Sequence, residues 1–140
     1  MEKGEKFQRT FEKFRKAFKK FEEIIRQPLV FDFLSEELII EVATKRFEYT
    51  FEALWKSIKE YLRIEGLICT TPLQYFKEAF KRGLIEEKYE NLFFEMVDKR
   101  NQIVHIYGLE EAKEIYKFIK KDEVYLAIHS IYQKLKEVSI

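Results

Sequence analysis

The first apolar positions along the chain are Phe7, Phe11, Phe14, Phe18, Phe21, Ile24 and Ile25. They recur at alternating steps of four and three residues, so a single helical stripe carries them. Lys and Glu fill the other faces, and Pro28 stops the pattern. Such a stripe either packs into a core or lies on a membrane surface. The glutamates interleaved among the lysines favour the core, as does the helical pattern of the rest of the chain.

A second helix starts at Ser35, whose hydroxyl can cap the free backbone N–H groups of a first turn. Leu38, Ile39, Val42, Phe51, Leu54, Trp55, Ile58, Tyr61 and Leu62 form its apolar face. No Gly or Pro interrupts it before Gly66, which predicts a helix of about 30 residues. Thr71-Pro72 is the next start signal, Thr as N-cap and Pro where its missing N–H costs nothing. Leu73, Phe76, Ala79 and Phe80 follow at helical spacing, and Gly83 sits where a left-handed cap belongs. A fourth helix runs from about Glu87, with Tyr89, Leu92, Phe93, Met96, Val97, Ile103 and Val104 on its apolar side and Gly108 ending or kinking it. A last helical stretch covers Leu109 to Val138. It breaks near Lys120-Lys121-Asp122, where Asp122 offers a fresh N-cap.

No segment reads as a strand. Val30 to Phe33 is β-like but short, and is taken as a connecting loop. The pattern predicts an all-α antiparallel bundle of five to six helices, forming one domain over residues 1–140. The scarcity of Gly (4) and Pro (2) agrees, since an all-β fold needs many turns.

Charge narrows the partners. The chain carries 26 Lys and Arg against 25 Asp and Glu, which excludes a uniformly basic coat and an acidic tail. Segregated charge stays open, because balanced totals can hide a local basic patch. Cys69 is the one cysteine and His105 and His129 the two histidines, so neither an intrachain disulfide nor a metal site is expected. No apolar run reaches the ~20 residues of a membrane span, and the first residues lack the apolar core of a signal peptide. The expected compartment is the cytoplasm, with no membrane contact.

A phosphate-cradling Gly-rich loop, HExxH and CxxC are all missing. Of the paired acids near helix ends, Glu36-Glu37, Glu86-Glu87 and Glu110-Glu111 lie in first turns, where carboxylates suit the helix dipole, and Glu22-Glu23 lies toward the end of the first helix. Cys69 reads as an inert loop residue and His129 as a surface or interface residue. One cluster stands apart, Asp98 to Tyr107, which gathers Arg100, Asn101, His105 and Tyr107 within about two turns. On an ideal helix Arg100 and His105 lie about 140° apart. They do not easily converge on one phosphate within one chain, but could if two copies faced each other across a two-fold axis. Arg can stabilise phosphate charge, His can move protons near neutrality, and RNA supplies its own 2′-OH nucleophile. In the alternative reading Arg100 pairs with an acid such as Asp98, and His105 and Tyr107 bond to nearby backbone.

Arg100-Asn101-x-x-x-His105-x-Tyr107 resembles the R-x4-H-x-Y motif of the HEPN superfamily. Trp55-Lys56-x-x-Lys59-x-Tyr61-Leu62 before Gly66 is a second block. Pro72 with Lys77-Glu78-Ala79-Phe80 and Gly83-Leu84-Ile85 is a third. Together they resemble the branch known as the nucleotidyltransferase substrate-binding subunit, over about Phe47 to Leu135. The resemblance implies a helical bundle, a homodimer, and a minimal nucleotidyltransferase as partner. It implies a metal-independent ribonuclease toxin with no cofactor, in which Arg100 and His105 are catalytic, Asn101 orients the phosphate or the His, and Tyr107 is a candidate for modification with AMP. It equally admits a non-catalytic subunit that binds a nucleotide or another acceptor for a separate transferase.

Overall fold

The computed structural model describes residues 2–27, 31–106 and 108–139; Pro28, Val30 and Tyr107 lie outside them. The described residues form six α-helices and no strand, which is the all-α class expected. In order these are α1 (Glu2–Arg26), α2 (Glu36–Ile64), α3 (Pro72–Lys81), α4 (Glu90–Ile103), α5 (Leu109–Ile119) and α6 (Asp122–Val138), with the 3-10 turn Glu87–Tyr89 leading into α4.

The phenylalanine stripe is the centre of the core. Phe7, Phe11, Phe14, Phe18, Phe21 and Ile24 are all buried. Phe7 meets Tyr61 and Phe21 meets Phe47, so α1 and α2 run antiparallel. On the other side Phe11 stacks on Tyr132 and Phe18 on Tyr125, so α6 also runs antiparallel to α1. The apolar face of α1 is therefore consumed by helices on both flanks, which decides for the core against the membrane surface. No described helix is long and apolar enough to cross a membrane.

A second aromatic line runs from Phe47 through Phe51 and Phe76 to Phe93, with ring centroids 5.3–5.9 Å apart. It ties α2 to α3 and α3 to α4. Such pairs add about 0.5–1.5 kcal/mol each beyond the area they bury. This line places α4, and with it the Arg100 cluster.

The helix ends follow their sequence signals in most places. Ser35 accepts from the Leu38 N–H at 3.2 Å. Thr71 and Gln74 form a reciprocal capping box, with Pro72 in the first turn. Gly83, at φ +80°, takes the left-handed turn after α3 that a Cβ would strain. Two ends differ. α4 stops at Ile103 rather than at Gly108, so Val104 turns outward and is 67% exposed. Lys121, not Asp122, holds the N-cap position of α6, and Asp122 sits in its first turn, where its charge suits the helix dipole and pairs with Arg26 at 3.1 Å. Leu38, assigned to the apolar face of α2, is 46% exposed, while Ile40, Ala43 and Phe47 are buried there instead.

Most polar groups in the core are compensated. The hydroxyls of Thr50 and Ser57 donate to the carbonyls of Arg46 and Ala53 one turn back. Buried Glu60 accepts from Arg63 at 2.8 Å and faces Lys6 at 3.6 Å. The Tyr125 hydroxyl donates to Glu22. Burial first, and then that carboxylate, push the Tyr125 phenol up to about 12. The fold thus favours the protonated phenol, whose ordinary pKa is about 10. This contribution is whole below about pH 10 and is lost as pH rises through about 12. Urea midpoints should therefore fall faster over that window for the wild type than for Tyr125→Phe. Equal pH slopes in the two proteins would refute the assignment.

Candidate functional site

The sequence cluster sits where α4 gives way to the link into α5. Helical geometry carries Arg100 and Asn101 but stops at Ile103. His105 follows in a turn whose N–H donates to the Gln102 carbonyl at 2.9 Å. The angle expected on an ideal helix therefore does not apply to His105. Asn101 and His105 still face one cleft, because the turn folds the chain back toward α5.

That cleft has a volume of about 530 Å3 and lies between the end of α4 and the start of α5. Asp98, Asn101, Gln102 and His105 line one wall, and Glu111, Glu114 and Ile115 the other. Asp98 accepts from the Gln102 amide at 2.8 Å. Three carboxylates in one open cleft give it an acidic character. Amides, an imidazole and carboxylates together can orient hydroxyl or amino groups of a small acceptor. They do not by themselves hold a phosphate, since like charges repel it. No group of acids, histidines or cysteines among the described residues is arranged to hold a metal ion.

Arg100 does not line this cleft. It reaches back to α2, where its guanidinium contacts Glu52 Oε1. The other Glu52 oxygen accepts from the Trp55 indole N–H at 3.0 Å. Oε1 is shut off from solvent, so the Arg100 charge is what compensates it. Arg100 also donates to the Asn101 side-chain carbonyl at 3.2 Å. Asn101 thus stands between the ion pair and the cleft. Arg100 does pair with an acid, but with Glu52 rather than with Asp98, because Asp98 points to the α5 side of the helix. The structure joins Asn101 with His105 and sets Arg100 apart from both Asp98 and the His105 cleft.

Tyr107 lies outside the described residues. Cys69 packs against the core, and burial pushes its thiol up, in keeping with an inert role. Its backbone is clipped by the Tyr75 hydroxyl, which accepts from the Cys69 N–H at 3.0 Å and donates to its carbonyl. His129 is half-buried among Phe18 and Tyr125, so it belongs to the α1–α6 aromatic seam.

A model for a family described as nucleotidyltransferase substrate binding protein-like matches residues 9–137. Among solved structures, a crystal structure of a Thermus thermophilus protein is similar, with 31% sequence identity and a TM-score of 0.72. That match covers 88% of this chain and 98% of the other. No curated protein matches.

Proposed function

Because this chain belongs to the nucleotidyltransferase substrate binding protein-like family, we propose that it is the acceptor-binding subunit of a two-chain nucleotidyltransferase. The partner would carry the nucleotide and its metal, and this chain would present the acceptor. The cleft at the α4–α5 junction supports the reading most directly. It is open, it is lined by hydrogen-bonding groups, and its carboxylates suit an acceptor bearing hydroxyl or amino groups. In this reading Asn101 and His105 orient the acceptor, and Arg100 holds Asn101 in place.

Nucleotidyl transfer by the complex tests it. Asn101→Ala and His105→Ala should each slow transfer at least about tenfold, the loss of roughly one hydrogen bond to a bound group. Both should still bind the partner. Full-rate transfer in both variants would end the proposal.

A second reading rests on the R-x4-H-x-Y spacing. In it the chain is a HEPN-type, metal-independent ribonuclease toxin and a homodimer, silenced by the partner through AMP modification of Tyr107. Each chain would supply Arg100 to a cleft holding the other's His105. Its electrostatic obstacle is plain, since Glu52 engages Arg100 and three carboxylates line the His105 cleft. The isolated chain incubated with an RNA pool and EDTA decides it. Cleavage abolished by both Arg100→Ala and His105→Ala, with the helical spectrum intact, would establish the ribonuclease. Cleavage retained in both variants would remove these residues from it.

A further inference from the structure

The balanced net charge of the chain conceals a segregated one. α1 carries nine Lys and Arg against five Glu. Its apolar face is spent on the core, so its cations from Lys6 to Arg26 are displayed on the outer faces. One line of that helix, Lys6, Thr10, Lys13 and Ala17, faces a line of α2 formed by Tyr49, Ala53, Lys56 and Glu60. Between them runs a groove of about 410 Å3. Ala17 and Ala53 lie across it from one another, two short side chains in its lining.

The groove holds two carboxylates, and both are already engaged. Glu60 is bound by Arg63 and Lys6, and Glu52 by Arg100 and the Trp55 indole. Lys13, Lys56 and Lys59 make no ion pair among the described residues, although acids are abundant on this surface. Tyr49 closes one end. It is 60% exposed, with Lys45 Nζ 5.6 Å from its ring centre. From Tyr49 to Lys59 the groove extends about 15 Å along α2. An exposed aromatic ring with Lys45 over one face, in line with unpaired lysines, is the kind of arrangement that single strands use, bases stacking while phosphates follow the cations.

We infer that the α1–α2 groove binds single-stranded nucleic acid, with phosphates on Lys13, Lys56 and Lys59 and a base stacked on Tyr49. This site is distinct from the α4–α5 cleft and does not depend on the function proposed for that cleft. An acidic protein segment would satisfy the lysines equally but has no use for an exposed tyrosine ring in line with them.

Fluorescence anisotropy of a labelled oligouridylate tests the inference in the full-length chain. Three phosphate contacts predict a slope of log K against log salt of about −2. Lys56→Gln/Lys59→Gln should flatten the slope to about −0.7 and weaken binding about tenfold at low salt. Tyr49→Ala should weaken binding about fivefold or more and leave the slope unchanged. His105→Ala should bind as the wild type does. The inference is overturned if the lysine variant keeps the wild-type slope and affinity. It is also overturned if His105→Ala alone loses binding, which would place the strand at the α4 end. Equal affinity for polyglutamate, indifferent to Tyr49→Ala, would overturn it in favour of an acidic protein partner.

Discussion

Phe76→Ala should lower the stability of the chain by about 4 kcal/mol, the range for emptying a well-packed aromatic site. Phe76 is fully buried on α3, and its ring lies 5.3 Å from both Phe51 and Phe93. Truncation therefore opens a cavity at the one point where α2, α3 and α4 meet through aromatic contact. At about 2–4 °C per kcal/mol for a chain of this size, the melting temperature should drop by about 8–16 °C. Phe76→Leu keeps most of the volume and should cost about 1–1.5 kcal/mol. Phe33→Ala is the contrast, because Phe33 is 81% exposed and its loss should leave the melting temperature unchanged. Urea unfolding followed by far-ultraviolet circular dichroism reads all three. A Phe76→Ala loss no larger than that of Phe33→Ala would mean the aromatic line does not hold α3 and α4 to α2.

The helices are legible in the sequence because burial and period coincide in them. The step of four and three residues from Phe7 to Ile24 is a local property, and the core realises it without a slip. Ser35, Thr71 and Gly83 act through neighbours within a few residues, so their roles are equally local. Legibility fails where a position answers to something distant. Leu38 and Val104 have the right spacing for a core face, but no helix packs over them. Phe47 falls outside the apolar face read from the sequence, yet it is buried because Phe21 of α1 lies against it. Periodicity gives a stripe and does not say how far each neighbour reaches along it.

The candidate site divides in the same way. The residue types of Arg100, Asn101 and His105 are legible from their crowding into a few positions. Their partners are not. Glu52 lies 48 positions before Arg100 in the chain, and nothing local distinguishes it from the other glutamates of α2. The one available signal is Trp55 three residues on, an indole that needs an acceptor once it packs against the core. Glu111 reads as an ordinary first-turn acid, and nothing in the pattern singles out Glu114. They become the far wall of the His105 cleft only because the chain reverses after Ile103.

That ion pair carries the second large effect. Glu52→Gln keeps the shape of the side chain and an acceptor for the Trp55 indole, but it leaves the half-buried Arg100 without its counter-charge. Glu52 and Arg100 expose only 27% and 32% of their side chains, so the pair is more than a solvated surface contact. Removing one partner should cost about 2 kcal/mol, more than the roughly 0–1 kcal/mol of an exposed pair. Arg100→Met should cost a similar amount, because Glu52 Oε1 is then stranded away from water. The double variant should lose less than the sum of the two, with a coupling of about 1–3 kcal/mol. Trp55 is the only tryptophan, so its fluorescence reports this cluster without interference. Its emission should change in Glu52→Gln and stay unchanged in Asp98→Asn, whose carboxylate faces the other side of α4. Additive losses, or an emission change in Asp98→Asn alone, would show that Arg100 is not anchored on α2. In that case Arg100 would be free to swing toward the His105 cleft, and the ribonuclease reading would gain what the acceptor-binding reading loses.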